Sequence, residues 1–168
     1  MITKIQQSSS PTISIVLVCP EIPQNTGNIG RLCMATNAEL VLVRPLGFRL
    51  TDTQLKRAGM DYWERLSPII LNDVDECLEW LESKVWYCLS AHGTRTYADV
   101  SFHPGNALVF GSESGGLPEI LAEKAIKGDR MLTLPMIEGA RCLNLSSSAA
   151  AVTYEAMRQI HKWGKKKP

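Results

Sequence analysis

Three polar, glycine-rich segments follow one another along the chain, each close behind an apolar run: Asn25-Thr-Gly-Asn-Ile-Gly-Arg31, Phe110-Gly-Ser-Glu-Ser-Gly-Gly-Leu-Pro118 and Leu134-Pro-Met-Ile-Glu-Gly-Ala-Arg-Cys-Leu-Asn-Leu-Ser-Ser-Ser148. Short apolar runs broken by such loops are what a parallel sheet requires, and loops at the carboxyl ends of parallel strands collect along one edge. The segments concentrate residue types that a packed core does not select. They are therefore expected to converge on one ligand site.

The remaining pattern agrees with an α/β chain. Residues 1–12, with Ser8-Ser-Ser-Pro11, read as a flexible lead-in, and a buried strand is expected over 13–18. Pro20 and Pro23 argue against helix just after it, and Asn25 is placed to cap a helix carrying Ile29, Leu32, Cys33 and Thr36. Further strands are expected over 40–43, 66–71, 85–89, 107–110 and 131–134, and a short polar helix near 52–57. Helices are expected over 74–81, from about Pro118, and from Asn144 to about Lys162. The last of these puts Leu145, Ala149, Val152, Ala156 and Ile160 on one face. One domain over 13–163, followed by a basic tail over 164–168, accounts for the whole length, and 168 residues suffice to bury a large core without staples.

Composition excludes several classes. Five cysteines form no C-x-x-C pair and follow no secretory signal, so reduced thiols in a cytoplasmic protein are expected, with no structural metal site. The longest apolar run is far short of the roughly 20 residues a membrane-spanning helix needs. A formal net charge of +1 does not announce a nucleic-acid binder, but charge is unevenly spread. Between Arg44 and Arg65 five bases face three acids, whereas Asp73 to Glu82 holds five acids and no base.

Each segment alone admits an ordinary reading. Gly111, Gly115 and Gly116 follow a strand and precede a helix, yet match neither G-x-G-x-x-G nor the phosphate-binding loop of nucleotide triphosphatases. Arg31 suits an anion as well as a stray carboxylate, and Asn144 serves first as a helix cap. Cys142 lacks a histidine partner in any recognisable nucleophile motif, and His92, His103 and His161 are scattered.

In their order and together, the three segments resemble the motifs of the SPOUT superfamily of RNA methyltransferases, in its ribose 2′-O-methylating branch. The resemblance runs from Ile13 to about Trp163. Pro20-Glu-Ile-Pro-Gln-Asn-Thr-Gly-Asn-Ile-Gly-Arg31, Pro45-Leu-Gly-Phe48 and Lys56-Arg-Ala-Gly-Met-Asp-Tyr62 are similar to the minimal members that methylate the wobble nucleotide, position 34, of tRNA. The resemblance implies a parallel-sheet α/β fold with a deep carboxy-terminal trefoil knot formed from 109–116 and 134–145. It also implies a homodimer, S-adenosylmethionine as cofactor, and tRNA as substrate, modified at cytidine or a modified uridine.

Carried over residue by residue, Leu89, Gly111, Leu134 and Cys142 line the cofactor. Cys142 departs from the usual serine, and a thiol is the poorer hydrogen-bond partner. Arg31 corresponds to the arginine assigned as general base, although a guanidinium keeps its proton, so orientation and charge stabilisation are the other role open to it. Glu113 and Asn144 complete the catalytic set. Asn25 and Asn28 hold the first loop against RNA, Lys56 and Arg57 contact phosphates, and Tyr62 or Trp63 stacks an exposed base. Two alternatives share the scaffold: methylation of another tRNA or rRNA ribose, and a non-catalytic RNA-binding protein.

Overall fold

The computed structural model describes residues 10–50 and 63–163. β1 (Ser14–Val18) is buried along its whole length, as expected of a continuous β-branched and aliphatic run at the centre of a parallel sheet. It pairs on one side with β2 (Glu39–Val43) and on the other with β6 (Ala107–Phe110). Outward from β2 lies β3 (Ile69–Leu71). Outward from β6 lie β4 (Trp86–Leu89), β7 (Met131–Thr133) and β5 (Arg95–Thr96). All seven strands are parallel, in the order β3-β2-β1-β6-β4-β7-β5. The strand order reverses between β1 and β6, the kind of position where open parallel sheets leave a crevice beyond their carboxyl ends.

Five α-helices are described: α1 (Pro23–Thr36), α2 (Trp63–Leu66), α3 (Val74–Glu82), α4 (Glu119–Lys127) and α5 (Leu145–Ile160). The period-2 alternation of the strands sorts their side chains into two cores. Ile15, Leu17, Leu40, Leu42 and Leu108 join Ile29 of α1 and Val152 of α5 on one face. Val16, Val18, Val41 and Val109 join Leu81 of α3 and Leu121 of α4 on the other. The sheet is thus sandwiched between two helical layers, and α1 lies directly against α5.

Most expected elements are present, and the differences have local causes. α1 starts at Pro23, not Asn25, because a proline at the first helical position gives up an N–H that would be unpaired anyway. Asn25 is therefore inside the helix and is not its cap. The strand expected over 66–71 shrinks to Ile69–Leu71. Leu66 ends α2, and Ser67 adopts a left-handed conformation (φ 42°) before Pro68. β5, two residues long, is too short to leave a periodic signal. Asp73 caps α3 by accepting from Glu76 N at 2.8 Å, and Asn144 caps α5 as expected, accepting from Ser146 N and Ser147 N. Residues 1–9 of the lead-in, the polar helix near 52–57 and the tail 164–168 fall outside the described residues.

Candidate active site

The loops that follow β1, β4, β6 and β7 meet at the carboxyl edge of the sheet around a cleft of about 650 Å³. That volume is in the range of small-molecule sites. Its apolar wall includes Leu89, Leu117, Leu134, Met136 and Leu145, and its polar wall the 111–116 loop. That loop folds back on itself as a tight bridge. Ser112 N donates to Gly116 O at 2.9 Å, Gly116 N returns the bond to Ser112 O at 3.0 Å, and Gly115 N donates to Ser112 Oγ at 3.0 Å. Only glycine fits at 111, where a Cβ would lie 2.1 Å from the Gly116 carbonyl carbon. Gly116 itself takes the left-handed φ of +68°.

A hydrogen-bond relay joins the three segments at the mouth of this cleft. Glu113 faces the amino end of α1, where Oε2 accepts from Glu21 N (2.8 Å) and Oε1 from Ile22 N (3.3 Å). A carboxylate is well placed there, since the free amides and the helix dipole both favour negative charge. Asn25 Nδ2 donates to Glu113 Oε1 at 2.8 Å, while Asn25 Oδ1 accepts from Asn144 Nδ2 at 3.0 Å. Asn144 Oδ1 in turn accepts from Ser146 N, Ser147 N and Ser146 Oγ. Asn25, only 4% exposed, is the link between residues 88 positions and 119 positions away. Its amide is hydrogen-bonded at both ends inside the protein.

The candidate residues separate accordingly. Leu89, Gly111, Leu134 and Cys142 all line the cleft, together with Glu113, Asn25 and Asn144. Arg31 and Asn28 are exposed on α1 and do not line it. Arg31 sits six residues beyond Asn25, about 120° around the helix. Lys56, Arg57 and Tyr62 fall outside the described residues. His92, outside every motif, and Arg141, which the third segment contains without a role, also line the cleft. Their signal is only visible once the loops after β4 and β7 are brought together.

Thiol chemistry is confined to the surface. Burial, with the nearby Cys19 adding to it, pushes the Cys77 thiol up to about 11. Burial, with Cys77 adding to it, pushes Cys88 up to about 12. Cys33 is raised further for the same dominant reason, whereas Cys142 is exposed. Among the described residues no group of three His, Cys, Asp or Glu side chains is arranged to hold a metal, and no helix is long and apolar enough to cross a membrane.

Residues 12–154 match the SpoU rRNA Methylase family. The tRNA (cytidine(34)-2'-O)-methyltransferase of Methylovorus glucosotrophus is 45% identical over 145 residues, covering 86% of this chain and 94% of its own. A solved structure described as giving insights into the 2-OH methylation of C/U34 on tRNA superposes with a TM-score of 0.82 at 38% identity, covering 88% of this chain and 95% of its own. The fold recurs in AviRb of Streptomyces viridochromogenes, solved in complex with AdoMet, with a TM-score of 0.81 at 23% identity. That match covers 94% of this chain and 61% of AviRb.

Proposed function

We propose, for a chain that belongs to the SpoU rRNA Methylase family, that it transfers a methyl group from S-adenosylmethionine to the ribose 2′-hydroxyl of nucleotide 34 in tRNA, at cytidine or a modified uridine. The observation that carries this reading is the Glu113–Asn25–Asn144 relay, which ties three motifs distant in sequence to the rim of one cleft.

The cleft suits the cofactor by its own chemistry. It has apolar side chains for an adenine, a backbone-lined turn stripped of Cβ atoms by Gly111, Gly115 and Gly116, and enough volume. Leu89, Gly111, Leu134 and Cys142 would hold it, and bound S-adenosylmethionine supplies an electrophilic sulfonium methyl. The protein's own task is to place the ribose and to deal with its proton. Arg31, whose guanidinium keeps its charge, orients the ribose and stabilises the oxygen as it loses its proton. Glu113 and Asn144 fix the amino ends of α1 and α5 beside it. Asn28, on the exposed side of α1, faces the RNA, with Lys56 and Arg57 on phosphates and Tyr62 beneath a base.

A homodimer completes the site in this reading. Arg31 lies off the cleft within one chain, and the exposed apolar side chains Ile22 and Leu143 line its rim. A second subunit covering that rim would bring its 49–65 segment to the RNA. The same reading includes a cytoplasmic enzyme, a domain over 13–163 and a trefoil knot through 109–116 and 134–145.

Methyl transfer from labelled S-adenosylmethionine to bulk tRNA from a strain lacking the gene, followed by nuclease mapping, tests this directly. Label is expected in a 2′-O-methylnucleoside at position 34. It should fall by roughly 10²-fold or more in Arg31→Ala, with cofactor binding retained. Label at another ribose would move the protein to a sister specificity, and absence of cofactor binding would leave an RNA-binding scaffold.

A further inference from the structure

Glu21 lies outside every motif role assigned above, yet it makes the mirror image of the Glu113 contact. Its Oε1 accepts from Ser114 Oγ at 2.6 Å and its Oε2 from Ser114 N at 3.0 Å. One residue back, Glu113 accepts from Glu21 N. The two carboxylates thus clasp each other's backbone across 92 and 93 positions of sequence, each accepting from neutral donors. Glu21 itself is held from behind: Gly47 N donates to Pro20 O at 2.9 Å, and a Cβ at Gly47 would lie 2.7 Å from Glu21 Cα. The exposed apex of the 111–116 loop, which lines the cleft, thus donates two hydrogen bonds to one carboxylate.

We infer that Glu21 is a positioning residue for the cofactor-binding loop, an inference that rests on the cleft being the S-adenosylmethionine site. Its carboxylate sets Ser114, and through it the turn from Ser112 to Gly116, in the geometry that receives the cofactor. A free loop would have to be ordered on binding, and the clasp removes that cost in advance. The consequence falls first on cofactor affinity, because Ser114 lies on the cleft while the other end of the clasp, at Glu21, stays anchored through the Gly47–Pro20 hydrogen bond.

The test is equilibrium binding of S-adenosylmethionine to the full chain by calorimetry, with steady-state kinetics against both substrates. Glu21→Ala is expected to weaken cofactor binding roughly 10–100-fold, in proportion to two charge-assisted hydrogen bonds, with KM for tRNA unchanged. Glu21→Gln, which keeps one acceptor oxygen, should fall between. Ser114→Ala should weaken binding in the wild-type background and have no further effect on Glu21→Ala. Wild-type affinity in Glu21→Ala, or a Ser114→Ala effect that persists in its background, would overturn the inference alone. Should Glu21→Ala fail to fold, unaltered affinity in both Glu21→Gln and Ser114→Ala would overturn it equally. A wild-type chain that binds no S-adenosylmethionine would sink the reading of the cleft and this inference with it.

Discussion

Asn25 shows how much one buried side chain can organise. Its buried amide satisfies Glu113 with one end and Asn144 with the other, tying a half-buried carboxylate and an exposed cap residue together. Asn25→Ala would break both hydrogen bonds and leave the Asn144 Nδ2 donor and part of the Glu113 carboxylate to water at the cleft mouth. A loss of about 0.5–1.5 kcal/mol is expected, read as a lowered midpoint in denaturant, together with loss of methyl transfer. Asn25→Asp should not rescue it, because a carboxylate cannot donate to Glu113. A variant as stable and active as wild type would show that the relay is not needed. Asn144 was recognisable as a cap from its neighbours in sequence, since capping is an exchange with amides two and three residues on. The partnership with Asn25 was not, because nothing local refers to a residue 119 positions away.

Among the elements, the glycine-rich turn after β6 separates two uses of glycine. Gly111 has an ordinary backbone conformation but no room for a side chain, whereas Gly116 has open space and a left-handed backbone. Gly111→Ala must push backbone against backbone, which a packed turn cannot absorb. Gly116→Ala incurs only the conformational strain of about 1–2 kcal/mol. Chemical denaturation should therefore show the larger loss for Gly111→Ala, accompanied by loss of cofactor binding, and equal losses would refute the steric account. The sequence marks both as glycines in a turn. Which constraint each one answers depends on how closely the chain returns at 116, a distance that no local propensity encodes.

On the scale of the molecule, the thiols report burial. Cys77 and Cys88 take ordinary values near 9.0 when unfolded and about 11 and 12 when folded, with burial as the main cause in each. Up to about pH 9 both states keep these protons and nothing is lost. Between there and pH 11 to 12 the unfolded chain releases protons that the folded chain holds, so stability falls as pH rises. The denaturant midpoint should decline through that window, and replacing both residues by alanine or serine should flatten the decline, at the cost of packing. Near neutral pH, a thiol reagent should modify Cys142 at once and Cys33, Cys77 and Cys88 only on unfolding. Prompt reaction of several thiols would contradict the fold.

The α/β class, the strand cores and the convergence of three loops follow from alternation and from glycine placement, which are short-range properties that any window of sequence displays. Leu89, Gly111, Leu134 and Cys142 were legible through motif resemblance and do line one cleft. The start of α1 at Pro23, the two-residue β5, the burial of Asn25 and the Glu21–Ser114 clasp were not. Each of these depends on strand order, and β4, inserted between β6 and β7, brings together loops whose sequences carry no reference to one another. Local periodicity decides what each segment becomes, while pairing across the sheet decides which segments meet.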